Sequence, residues 1–293
     1  MEKVPKRRKS LEEMNLMDDF LMAYVASDPY VGPPCCKKIL SVLLQKEISE
    51  VRVTAQRIIP GNDPLRRGIR MDVEVAEIKR DDSVENIASI YDLEPHTADR
   101  TDLPHRNRFY QAKIDSKHLP SGTPDFKRLP DLYVIMILNY DPFGEDRVLY
   151  TFKNSCVEDP TIPYNDGLTF MIFYTKGHVG GSQAVKNMLN YIQTSSVSDD
   201  DTKEINYYVA SVKADPEVKE GIMTLGEHFD MEREEGRAEG LRMSILDLLE
   251  DLGNVDQILK DRLNNISDEA ELTRLHKLAA KFSSLEEFEK ELN

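Results

Sequence analysis

Two carboxylates, Asp72 and Glu94, stand 22 residues apart, each inside an alternating stretch: Gly68-Ile69-Arg70-Met71-Asp72-Val73-Glu74-Val75 and Ile90-Tyr91-Asp92-Leu93-Glu94-Pro95-His96. Carboxylates on neighbouring strands are held rigidly enough to bind a hard divalent cation, which takes oxygen ligands. The chemistry that suits such a pair is phosphodiester hydrolysis: a carboxylate-held Mg²⁺ stabilises charge on the scissile phosphate and makes a bound water nucleophilic. Few protein ligands suffice, because Mg²⁺ keeps several of its own waters. The competing reading is that acids on the exposed face of a strand are simply solvated, and the sequence does not fix the register that would bring these two together. Asp92, on the same side as Glu94, is a further ligand or a solvated neighbour, the second being the simpler account. Asp18 and Asp19 either approach the metal or serve the start of a first helix.

The elements that must position these groups follow from periodicity. Met71, Val73 and Val75 point one way and Arg70, Asp72 and Glu74 the other, while Tyr91 and Leu93 oppose Ile90, Asp92 and Glu94. Both acids therefore fall on the more polar face of their strand. Strands are expected at 50–59, 69–78 and 89–94, with the charged stretch 77–89 as a long hairpin loop. Helices are expected at 14–26, 36–46 and 104–117. The continuous apolar run 132–138 reads as a central strand covered on both faces, and 148–152 and 168–174 supply two more. Gly180-Gly181 introduces a helix over 182–193 whose Ala184, Val185, Met188, Leu189 and Ile192 recur at helical spacing.

Several motifs in this order resemble a known family. Asp18-Asp19-Phe20-Leu21-Met22, Cys36-Lys37-Lys38-Ile39-Leu40, Arg70-Met71-Asp72-Val73, Tyr91-Asp92-Leu93-Glu94 and Arg106-Asn107-Arg108-Phe109-Tyr110 together look like the PD-(D/E)XK nuclease family transposases, also called recombination-promoting nucleases, over about residues 14–190. The resemblance implies a restriction-endonuclease-like α/β fold, a mixed β-sheet core flanked by helices, that cuts DNA with Mg²⁺, or Mn²⁺ in its place. It implies that Asp72 and Glu94 are the metal ligands and that His96 occupies the water-orienting position, where the superfamily carries Lys and this branch often Gln. An imidazole is a weaker electrostatic partner for the attacking water than a permanent ammonium. Arg106, Arg108 and Tyr110 match an Arg-x-Arg-x-Tyr signature of the family and, with Lys113, are the expected contacts to nucleic acid. By spacing alone, Arg106, Tyr110, Lys113 and Lys117 form either a phosphate-binding helix face or an ordinary solvated one.

Composition bounds the reading. The net charge of −15 argues against DNA until its distribution is considered: residues 1–198 carry 26 basic and 28 acidic side chains, and residues 199–293 carry 12 and 25. The acidity belongs to the tail, while Arg100, Arg106, Arg108, Lys113, Lys117, Lys127 and Arg128 outnumber their acidic neighbours just after the Glu94 motif. The basic run 6–9 adds sequence-independent attraction or none. Three cysteines without paired spacing indicate neither a disulfide framework nor a zinc site, and His96, His105 and His118 match no common ligand spacing. With no apolar run of membrane length and no secretory leader, the protein is expected to be cytoplasmic and free of membrane. Nucleotide-binding glycine motifs, a hydrolase elbow and H-E-x-x-H are all missing from the sequence.

Two segments are expected, a nuclease-like core over 11–198 and a linker with an acidic helical extension over 199–293. In the extension a helix interrupted at Gly236 to Gly240 is followed by the stripe Ile245, Leu248, Leu249 and Leu252, a stop at Gly253-Asn254, and two short helices. The expected function is a metal-dependent DNA endonuclease linked to transposition, recombination or defence. The alternatives are a catalytically silent nucleic-acid binder and a protein-interaction module acting through the C-terminal helices, which also suit homo-oligomer formation.

Overall fold

The structure is a computed structural model that describes residues 9–59, 69–81, 84–97, 101–119, 125–266 and 268–291. In chain order the first unit contains α1 (Asp19–Ser27), α2 (Gly32–Leu44), β1 (Glu50–Ile59), β2 (Ile69–Asp81), β3 (Val84–His96), α3 (Leu103–His118), β4 (Asp131–Leu138), β5 (Leu149–Phe152), β6 (Leu168–Tyr174), α4 (Gln183–Thr194) and α5 (Asp200–Ala214). The strands form one mixed sheet in the order β1-β2-β3-β4-β6-β5. β1, β2 and β3 are antiparallel neighbours, β3, β4 and β6 run parallel, and β5 returns antiparallel on β6. A parallel β3–β4 step needs a crossover, and α3 is that crossover.

The sheet is buried on both faces. Ile90, Leu132, Val134, Met136, Leu138, Phe170 and Ile172 pack with Leu103, Tyr110 and Ile114 of α3. The alternate residues Val73, Val75, Leu93, Ile135, Ile137 and Phe173 are equally enclosed, and α1 and α2 pack on β1 and β2. Gly32 permits the close approach of α2 to α1, since a Cβ there would lie 2.4 Å from the Ala26 carbonyl oxygen.

Local chemistry explains where elements depart from the expected bounds. α1 starts at Asp19 rather than at 14 because Asn15 and Asp18 form a turn in which the Asn15 N–H donates to Asp18 Oδ2 and the Met17 N–H to Asn15 Oδ1. α2 starts four residues early, at Gly32, with the prolines of its first turn in positions that need no N–H. Within the expected loop, residues 77–81 and 84–89 are strand: β2 and β3 stay paired out to Asp81 opposite Val84, with a bulge at Glu77/Ile78. Glu77 is buried there, accepting from the Tyr91 hydroxyl at 2.6 Å and from the Ser49 N–H at 2.9 Å.

The chain divides between Val218 and Lys219 rather than at 198/199. The reason is α5, whose start is fixed by a capping box of Asp199 and Thr202 and which packs on α1, α2 and α4. The second unit takes in α6 (Pro216–Glu250) from Lys219 on, with α7 (Gln257–Asn264), α8 (Glu269–Ala279) and α9 (Leu285–Glu291). Gly236 and Gly240 do not interrupt α6; each costs about 1 kcal/mol against alanine, and the burial of Ile245 and Leu249 in the bundle core offsets that. α7 is an addition to the expected elements, capped by Asp256 and anchored by Leu259 and Leu263. No helix among the described residues is long and apolar enough to cross a membrane.

Candidate functional site

The register of the β2–β3 hairpin brings the two acids together. Glu74 lies opposite Asp92 and Val73 opposite Leu93, and one step further the Asp72 N–H donates to Glu94 Oε1 at 3.0 Å. Directly opposed residues share a face, so Asp72, Glu74, Asp92 and Glu94 form a two-by-two block of carboxyls. That face is the one beneath α3. The polar face of each strand is thus an interior face, and the solvated reading of these acids fails.

Each acid meets this burial differently. Glu74 is enclosed and answered at one oxygen: Arg57 donates to Oε1, while His118 Nε2, 3.8 Å from Oε2, is too far for a hydrogen bond. Burial pushes its carboxyl up, but His118, Arg57 and Lys117 together outweigh that and hold it below its ordinary range. Glu94, fully buried, accepts from Arg106 Nη2 at 3.0 Å as well as from the Asp72 N–H, and His96 Nε2 lies 3.3 Å from Oε2. Arg106 also donates to the Tyr110 hydroxyl at 2.8 Å, and that hydroxyl donates to the Arg70 carbonyl at 3.1 Å, which fixes the guanidinium over the strands.

Asp92 and Asp72 are the uncompensated members. Asp92 has no exposed surface and neither carboxylate oxygen has a hydrogen-bond partner. Desolvation, then the charges of Glu94, Asp72 and Glu74, drive its carboxyl far above the usual carboxylate range. Asp72 is pushed up to about 7, first by burial, then by Glu94 and Asp19, against the opposing pull of Arg106 and Arg70.

A cavity of about 670 Å³ opens over this block, lined by Asp19, Ile69, Arg70, Asp72, His96, Asp102, His105, Arg106, Phe109 and Tyr110. Asp72 is part of its lining, whereas the fully buried Glu94 is not. The donor set is oxygen-rich and suits Mg²⁺ or Mn²⁺ rather than a soft metal. Among the described residues no group of three or more His, Cys, Asp or Glu side chains is arranged to hold a metal ion. A carboxylate pair completed by waters and substrate phosphate needs no such group.

Asp72, Glu94 and His96 are therefore brought together. The expected basic helix face is not: Arg106 and Tyr110 point inward, Tyr110 being buried, while Arg108 is exposed and Lys113 Nζ lies 5.8 Å from the Phe109 ring centroid. Arg100 and residues 6–8 of the basic run lie outside the described residues. Asp92, expected as a solvated neighbour, is instead the most enclosed acid of the block. Of the two helix-start acids, Asp18 pairs with Lys9 at 2.8 Å and Asp19 reaches the cavity. Sequence reasoning left Asp102, His105 and Phe109 without a role here.

Searches of family models, of curated proteins and of solved structures return no match to this chain.

Proposed function

We propose that this chain is a metal-dependent DNA endonuclease with a restriction-endonuclease-like core, acting in the cytoplasm. The observation that carries the reading is the convergence of Asp72 and Glu94 from opposed strands beside a cavity, where burial first and then repulsion from Glu94 and Asp19 raise Asp72 to about 7. Such repulsion favours a divalent cation, which relieves it directly. Asp72 and Glu94 would hold the ion, with Asp19 within electrostatic range; the ion supplies charge neutralisation at the phosphate and an acidified water.

The chain's own residues supply the rest. Arg106, tied to Glu94 and Tyr110, holds one Glu94 oxygen in place while each carboxylate oxygen keeps a second lone pair for another partner. Arg70 and Arg106 on the cavity wall present cations to a phosphate, and His96 beside Glu94 can accept a proton from the attacking water. Exposed Arg108 and half-buried Lys113 would extend this as backbone contacts to DNA.

The test is plasmid DNA incubated with purified protein and Mg²⁺, Mn²⁺ or EDTA. Cleavage with either metal is expected, with loss of at least about 100-fold in Asp72→Ala and in Glu94→Ala. Unchanged nicking by either folded variant would sink the assignment. The second reading is a silent nucleic-acid binder, favoured by His96 at the water-orienting position and by Arg106 occupying Glu94; retained DNA binding without cleavage in any metal would select it.

A further inference from the structure

α3 separates two cavities on one sheet face. Arg106 and Tyr110 line the acidic one, whereas Asn107 and Gln111, one helical position further round, line a second with Phe152, Lys153, Asn154, Leu168 and Phe170. At about 120 Å³ this second cavity is well below the ~300 Å³ at which ordinary ligand pockets begin. It admits a ring-sized group and nothing folded.

Its walls are those that a flat, polar-edged ring requires. Phe152 is 43 % exposed on the edge strand β5, stacked on Phe170 with ring centroids 5.7 Å apart and 28° between planes, and Phe143, 44 % exposed, meets it at 5.6 Å. Gln111 Nε2 donates to Asn107 Oδ1 at 3.0 Å. That bond consumes one donor and one acceptor and leaves the Asn107 amide N–H groups and the Gln111 carbonyl side by side, a donor beside an acceptor. Asn154 Nδ2 is committed to Asp166 at 2.7 Å, which leaves its carbonyl as a further acceptor. Lys153 is exposed at the rim.

We propose that the cavity formed by Phe152, Asn107, Gln111 and Lys153 binds a nucleobase bearing a phosphate, the ring on Phe152, its amide-like edge on the Asn107/Gln111 pair and its phosphate on Lys153. An aromatic face stacks on any base, and a carboxamide donor–acceptor pair matches the edge of a base as Asn and Gln do in direct readout. The inference rests on the nucleic-acid reading only for its source. If the ring belongs to the strand being cut, it is an unpaired or extruded base about one helix diameter, ~10 Å, from the acids, because a base stacked within a duplex cannot present its face to Phe152.

The experiment is fluorescence anisotropy with the full chain in EDTA, using a labelled single-stranded oligonucleotide, its duplex, and adenosine monophosphate as a competitor, against Phe152→Leu, Phe152→Tyr, Gln111→Ala and Lys153→Ala. Phe152→Leu keeps an apolar side chain of similar size and removes the π-face, and is expected to weaken single-strand binding about 5- to 100-fold, with Phe152→Tyr close to the parent. Lys153→Ala is expected to weaken binding and to lower the salt slope by about one charge. Tight strand binding with weak competition by the monophosphate assigns the base to a strand, and the reverse assigns it to a free nucleotide; both uphold the site. No binding of either probe, or equal affinities for the parent, Phe152→Leu and Gln111→Ala, overturns it. The acids are untouched in these variants, so variant-sensitive binding by a protein that cuts no plasmid would reject the nuclease reading and leave this site standing.

Discussion

Replacing Asp72 by asparagine tests the electrostatic account of the acid block without relying on turnover. In the folded chain this carboxyl, ordinarily near 3.8, titrates at about 7. A carboxyl with a raised folded pKa binds its proton more tightly folded than unfolded. Its contribution to stability is therefore complete below the unfolded pKa and is lost as pH rises through the folded one. The displacement is worth ~4 kcal/mol in all, of which ~2 to 3 kcal/mol falls between about pH 5 and 8. A carboxamide cannot ionise, so the metal-free stability advantage of Asp72→Asn should grow by ~2 to 3 kcal/mol over that interval. Urea titrations in EDTA, read through hydrogen exchange of the β2 and β3 amides, isolate the first unit from the helical second one. Adding Mg²⁺ to about 100 times its dissociation constant should restore ~2.7 kcal/mol to the parent at pH 8 and nothing to the variant. Parallel pH profiles for parent and variant would refute the charge argument, and equal stabilisation of both by Mg²⁺ would refute Asp72 as a ligand.

Other outcomes follow from neighbouring groups. His96→Lys should raise plasmid cleavage near neutral pH and His96→Ala should lower it, because a permanent cation beside Glu94 stabilises the developing charge; identical rates in all three proteins would remove His96 from the chemistry. Removing residues 219–293, which carry 10 basic and 19 acidic side chains, should leave DNA affinity in gel shifts equal or higher. Weaker binding by a folded, monodisperse truncation would assign the second unit a direct part. Tyr91→Phe should destabilise the first unit by ~1 to 3 kcal/mol in urea, since it strips a buried bond from Glu77. Cleavage should not change, because Tyr91 lies on the sheet face away from the acids; a loss of activity without a loss of stability would contradict that separation.

Much of this architecture was legible because period-2 alternation and apolar runs report strands directly. The strands at 50–59 and 168–174 coincide with β1 and β6, and the central position of 132–138 follows from its lack of a polar face. Strand ends were less legible where charge misleads: Lys79, Arg80 and Asp81 look like a loop, yet their backbone stays paired with β3, since the ladder is made by main-chain groups whatever the side-chain charge. The linker expected from 199 hid the start of α5 because the Asp199-to-Thr202 capping box uses the same small polar residues as a loop.

The depth of the acid block was the harder inference, and the clue to it lay in α3 rather than in the strands. Alternation separates two faces of a strand but does not say which is covered, so the acids read as outward. In α3 the buried positions Leu103, Asn107, Tyr110 and Ile114 recur at helical spacing, and Arg106 falls on that same stripe, tied to Glu94. An arginine within the core-facing stripe of a crossover helix requires a buried carboxylate to meet it, since an unpaired buried charge costs far more than the stripe's apolar contacts return. The inward arginine and the strand acids are thus two halves of one feature. With Arg106 committed to Glu94, burial and the charges of the neighbouring acids drive the Asp92 carboxyl far up and raise that of Asp72 to about 7.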